Sequence, residues 1–139
     1  MNYKKFGDKV FVRIDRGEEI VETLKQVCNK LSIKAGTIIG IGATDKAIIG
    51  LFDVKTKQYH SKELVGDHEI VPVCGNISTM NDEIYLHLHV NLCNAEHNSF
   101  GGHLNSAVVS ATFEGVIDII DGKIDRIFDE NIQLNLLTF

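Results

Sequence analysis

Cysteine is scarce in this 139-residue sequence: Cys28, Cys74 and Cys93 are odd in number, far apart and in no C-x-x-C pair. That excludes a disulfide framework and a zinc knuckle and points to reduced thiols in the cytoplasm. Proline is scarcer still, a single Pro72 inside an apolar run, which implies an edge strand or a bulge at that point. No stretch approaches the roughly 20 apolar residues that span a bilayer. The opening Met1-Asn2-Tyr3-Lys4-Lys5-Phe6-Gly7-Asp8 lacks the apolar run and small-residue cleavage site of a signal peptide. Membrane partners are therefore not expected, and the expected location is the cytoplasm. Basic charge is also short: 14 Lys and Arg face 19 Asp and Glu, for a net charge of −5, with no basic run longer than Lys4-Lys5. DNA binding draws its affinity from Lys and Arg that neutralise phosphates, so a nucleic-acid partner is not expected.

What is present is ordinary globular material, 44% hydrophobic and 24% charged residues, enough for one domain over residues 1–139 with its own core. Lys9 to Asp15 alternates as a strand, with Val10, Val12 and Ile14 on one face. A helix follows, capped by Asp15 or Gly17, with Glu18 and Glu19 at its positive end and Ile20, Leu24, Val27 and Leu31 as its apolar stripe. It ends near Ser32. Thr37 to Ile41 reads as a buried strand. Lys46 to Val54 and Gln58 to Val65 read as a hairpin around Lys55-Thr56-Lys57. Glu69 to Ile77 and Ile84 to Leu92 are joined by a turn at Asn81-Asp82. Ala107 to Ile120 leads through Asp121-Gly122, a hairpin signal, into Lys123 to Phe128, and Leu134 to Phe139 closes the chain. Many strands with one main helix near the N-terminus is an α+β pattern.

The chemistry concentrates in Ile84-Tyr85-Leu86-His87-Leu88-His89-Val90-Asn91-Leu92. Side chains alternate along a strand, so Tyr85, His87, His89 and Asn91 share the face opposite Leu86, Leu88, Val90 and Leu92. His87 and His89 are spaced so that both rings can reach one ion. His103, in Gly101-Gly102-His103-Leu104, is the best third ligand, on a glycine-rich loop able to fold back over the sheet. Three imidazoles with one open position make a catalytic type of zinc site, with Asn91, Asn105 or Glu114 as acceptors behind the rings. The same pattern also suits structural histidines that tie a loop to the sheet. His60, His68 and His97 read as surface or loop residues, Cys28 and Cys74 as core. Gly40 and Gly42 follow a strand but open no helix, so a nucleotide fingerprint is not expected.

Leu86-His87-Leu88-His89-Val90, Gly101-Gly102-His103-Leu104 and Thr112-Phe113-Glu114 together resemble the prokaryotic PPC domain (plants and prokaryotes conserved). Arg16-Gly17-Glu18, Gly40-Ile41-Gly42-Ala43, Leu51-Phe52-Asp53 with Tyr59, Glu69-Ile70, Gly75-Asn76-Ile77-Ser78 and Leu136-Leu137 extend the resemblance over nearly the whole chain. Pro72-Val73-Cys74 and the His97-Asn98 loop depart from it. The resemblance implies an α+β domain with a strongly bent mixed or antiparallel sheet, a homotrimer, and a metal at His87, His89 and His103. The fold is also similar to that of acetolactate decarboxylase, which holds zinc through histidines. Prokaryotic PPC proteins often carry a DNA-binding label, but this sequence has no Arg-Gly-Arg-Pro AT-hook core. The expectation is a trimer with a zinc-type site for a small polar or anionic molecule. Glu114, or Glu96, is the candidate proton-handling carboxylate and Arg13 a candidate anion contact. A non-enzymatic assembly or regulatory module is the alternative.

Overall fold

The computed structural model describes residues 1–139. In chain order the elements are β1 (Asn2–Phe6), β2 (Lys9–Asp15), α1 (Ile20–Lys30), β3 (Gly36–Asp53), β4 (Gln58–Met80), β5 (Glu83–Cys93), β6 (Ser99–Ile119), β7 (Asp125–Asp129) and β8 (Leu134–Thr138). The α+β expectation is overturned: 69% of the residues are in strands and 8% in one short helix. The reason is strand length. Segments that read as separate short strands are continuous, so Thr37 to Ile41 and Lys46 to Val54, save Val54 itself, are parts of β3. Gln58 to Val65 and Glu69 to Ile77 are likewise parts of β4.

The apparent breaks are bulges. Register shifts fall at Gly40/Gly42 and Thr44/Lys46 in the pairing of β3 with β4, and at Ile70/Val73 between β4 and β5. Pro72 sits at the latter, where a missing N–H costs no ladder bond. Thr44 is fully buried at its bulge, where its Oγ1 reaches Val108 O at 2.7 Å and Lys46 O at 3.0 Å. An extra residue bends and twists a strand, so these long strands curl. The pairing closes on itself, β3 with β4, β4 with β5, β5 with β6 and β6 with β3, all antiparallel. β2 adds to β6 and β1 to β2, while the β7–β8 hairpin touches β4 through the single parallel pair Thr79 and Asp125. Asp121-Gly122 therefore makes no hairpin. β6 is already paired with β2, β3 and β5, which leaves β7 no free edge there.

The core holds Val10, Val12 and Ile14 from β2, Leu88, Val90 and Leu92 from β5, and Phe113 and Ile117 from β6. Helix α1 closes one side with Ile20, Leu24, Val27 and Cys28. Its N-cap is Glu19 rather than Asp15 or Gly17. The Glu19 side chain accepts from the Glu22 N–H at 2.6 Å and from the Ala107 N–H at 2.9 Å, fastening the helix start to β6. No helix is long and apolar enough to cross a membrane.

Candidate metal centre

Strand β5 carries the site. Its inward residues Leu88, Val90 and Leu92 are buried, and the alternation leaves Tyr85, His87, His89 and Asn91 on the other face. His103 arrives by strand pairing and not on a loop: it is the direct antiparallel partner of His89, in β6. Gly101 and Gly102 belong to that strand and allow close backbone approach. A Cβ at Gly102 would come within 2.7 Å of Gly50 O. Across the other edge of β5, Asn76 pairs with His87 and Cys74 with His89. Gly75 lies between them, where a side chain would collide with the His87 carbonyl oxygen.

The three imidazole rings have centroids 5.2, 5.3 and 5.7 Å apart. One potential ligand atom from each lies within 4.8 Å of the others. None of their ring nitrogens is hydrogen-bonded to another protein group, so the lone pairs are not committed elsewhere. Burial, then the neighbouring His103, Arg126 and His89, lowers the pKa of His87; burial and then His89 lower that of His103. Both shifts favour neutral imidazole, the form that ligates a metal. Zn–N bonds of ~2.0–2.1 Å around one tetrahedral ion put the nitrogens about 3.4 Å apart, so atoms that lie within 4.8 Å would draw together by up to about 1.4 Å, within the range of side-chain rotation. The donor set fits a divalent metal of the zinc type.

The surroundings differ from the expectation. Asn91 Oδ1 accepts from Ser99 Oγ at 2.5 Å, and Asn105 Oδ1 accepts from Tyr59 OH at 2.6 Å, so neither oxygen backs a histidine ring. Tyr59 lies across Gly50, where any side chain would strike its ring, and meets His103 edge-on at 6.4 Å between centroids. Glu114 is not brought to the histidines. It pairs with Arg13 and Ile41 and lines a separate cleft of about 580 Å³ with Tyr3, Phe11 and Ile39. Arg13 lines the same cleft and is bonded to Asp15 at 3.0 Å. Glu96 is exposed in the turn after β5. Cys74 is exposed beside His89, not in the core, because the bulge at Pro72 sets the face on which residue 74 emerges. His68 is buried, with Nδ1 2.6 Å from Gly66 O, so it is no surface residue; His60 and His97 are exposed.

The sequence pattern of the Plants and Prokaryotes Conserved (PCC) domain matches residues 1–121. The chain belongs to this family. Among solved structures, it is similar to a protein provisionally named as DNA-binding from Bacteroides thetaiotaomicron, with 36% identity and a TM-score of 0.97 over 99% of this chain and 96% of that one. A protein from Archaeoglobus fulgidus described as metal-containing has 31% identity and a TM-score of 0.88 over 100% and 99%. A plant- and prokaryote-conserved protein from Pyrococcus horikoshii has 29% identity and a TM-score of 0.83 over 97% and 93%. No curated protein matches. The matched span contains the three histidines but ends before β7 and β8, which supply the remaining neighbour of the site. Arg126 of β7 bonds to Asn76 and lies over the Tyr85 ring. It has no local signal in the sequence, because the groups that bring it to the site, Ser78, Asn76 and Tyr85, are some 40 to 50 residues away in the chain.

Proposed function

We propose that this PCC-domain protein is a homotrimer that holds zinc or a similar divalent ion at His87, His89 and His103 and there binds, or transforms, a small polar or anionic molecule. The observation that carries the reading is the convergence of three uncommitted imidazoles within 4.8 Å. The metal-containing relative from Archaeoglobus fulgidus, alike over the full chain, supports it. Three protein ligands leave a fourth position for water or a ligand. A metal there would supply Lewis-acid polarisation of a carbonyl, or a bound water of lowered pKa. His87 and His103 would hold and orient the ion in a half-buried setting, Tyr59 stands edge-on beside His103, and Tyr85 shares the His87 face of β5. Support for the trimer is the apolar outer surface of β2 and β3. Phe11, Ile39 and Ile41 are 56%, 57% and 62% exposed there, a patch that association would cover.

Elemental analysis of the purified protein beside a His87→Ala/His89→Ala variant tests the metal reading. The expected result is about one ion per chain, lost in a variant whose circular dichroism is unchanged. No metal in either, even after zinc incubation and desalting, overturns it.

A second reading, an assembly or regulatory module bound to DNA, rests on the provisional name of the relative at 36% identity. The net charge of −5 and the lack of a basic run speak for the small-molecule reading. A gel shift series decides: binding to duplex DNA that weakens steeply between 50 and about 200 mM salt would favour the second reading. We expect no shift even at low salt.

A further inference from the structure

Arg126 is a partly desolvated cation without an acidic partner. Every ion pair in the molecule uses another cation: Lys9, Arg13, Lys46, Lys123 or the N-terminal ammonium. Arg126 is instead held by neutral groups. Its Nε donates to Ser78 Oγ, one terminal nitrogen to Asn135 O and the other to Asn76 Oδ1, each at 2.7 Å, while Cζ stands 4.7 Å from the Tyr85 ring centroid. A guanidinium has five N–H donors, so three bonds leave two unassigned. Asn76 and Tyr85 fix its position at the site: Asn76 is the cross-strand partner of His87, and Tyr85 is the preceding residue on the His87 face.

We propose that Arg126 selects the ligand of the triple-histidine site by binding a carboxylate group of the small molecule held there; the inference rests on the metal-site reading above. A clamp between β7 and β4 needs hydrogen bonds but no charge, and a neutral side chain would avoid the cost of desolvating a guanidinium. The charge is retained where an anion would compensate it. Three bonds and a ring fix the planar fork in advance, which reduces the entropy lost on binding. Carboxylate is favoured over phosphate because Arg126 is the one cation hydrogen-bonded into this cluster. Phosphate sites commonly gather several N–H donors or a helix N-terminus.

The test uses the zinc-loaded full chain, calorimetric titration with succinate and with inorganic phosphate, and zinc content by elemental analysis. Wild type, Arg126→Gln and Arg126→Lys are compared. Succinate affinity is expected to fall at least about tenfold in Arg126→Gln, with zinc retained, and by an intermediate factor in Arg126→Lys. Equal succinate affinity in wild type and Arg126→Gln, tighter binding of phosphate than of succinate by wild type, or no succinate binding by zinc-loaded wild type overturns the proposal while the metal site stands. A wild type that takes up no zinc overturns the metal reading and this inference with it. If Arg126→Gln does not fold, Arg126→Lys decides: loss of the planar fork is expected to weaken succinate at least about threefold, and unchanged affinity overturns the proposal. A merely structural role would lower thermal stability and leave the preference for succinate over phosphate as it was, which also overturns it.

Discussion

His89 and His103 face each other across two paired strands, so the spacing of two of the three candidate ligands is set by the backbone ladder and not by a flexible loop. His87 is then placed by strand periodicity alone. The cysteines separate by environment in a way their spacing did not announce. Burial pushes the Cys28 thiol from 9.0 up to about 12, whereas Cys74 is exposed. The native protein at pH 8 should therefore modify Cys74 readily with a thiol reagent and leave Cys28 unreacted until it is unfolded. Mass mapping of the labelled peptides checks this. The raised folded pKa also sets a sign for stability. Between pH 9.0 and about 12 the unfolded chain binds fewer protons at Cys28 than the folded one, so stability falls as pH rises through that window. The limiting slope is about 1.4 kcal/mol per pH unit. A Cys28→Ser variant should show a shallower alkaline decline in urea unfolding than wild type.

At the scale of elements, the decisive features are the bulges that let a few long strands curl and close. Thr44 is the buried polar pin of one of them, and its Oγ1 donor and acceptor capacity is spent on Val108 O, Lys46 O and the Lys46 N–H. Thr44→Val keeps the shape and removes the hydroxyl that the Lys46 and Val108 carbonyls share and that accepts from the Lys46 N–H. We expect a loss of about 0.5–1.5 kcal/mol, read from chemical denaturation. The helix is small but well fastened, since Glu19 both caps α1 and bonds to β6. It covers the core and takes no part in the site.

For the whole molecule, closure of β3 through β6 into a ring leaves the core inside and the histidine face outside, beside the β7–β8 hairpin. It also leaves the apolar surface around Ile39 and Ile41 without a cover in one chain. If the proposed trimer forms through this surface, Ile41→Asp should convert it to monomers in sedimentation velocity. Retention of about one ion per chain in that monomer would mean that the histidine site is complete within one subunit, as the single-chain geometry implies. A variant that sediments as wild type does would place the subunit contact elsewhere.

Much of this was legible in the residues themselves. The alternation of Ile84 to Leu92 fixed which face His87 and His89 share, and the family motifs placed His103 with them. The helix was legible from its apolar stripe, because helical periodicity is a local property of a few turns. Strand continuity was not. By sequence the strands break off between Ile41 and Lys46 and between Val65 and Glu69, and only pairing with a second strand makes those breaks bulges inside one strand. That is why an α+β pattern turned out to be a β-structure with a minor helix. The position of Cys74 beside His89, the separation of Glu114 from the histidines and the approach of Arg126 to Asn76 and Tyr85 were likewise decided by tertiary structure alone. Each depends on register between strands distant in the chain, and a register shift of one residue moves a side chain to the opposite face.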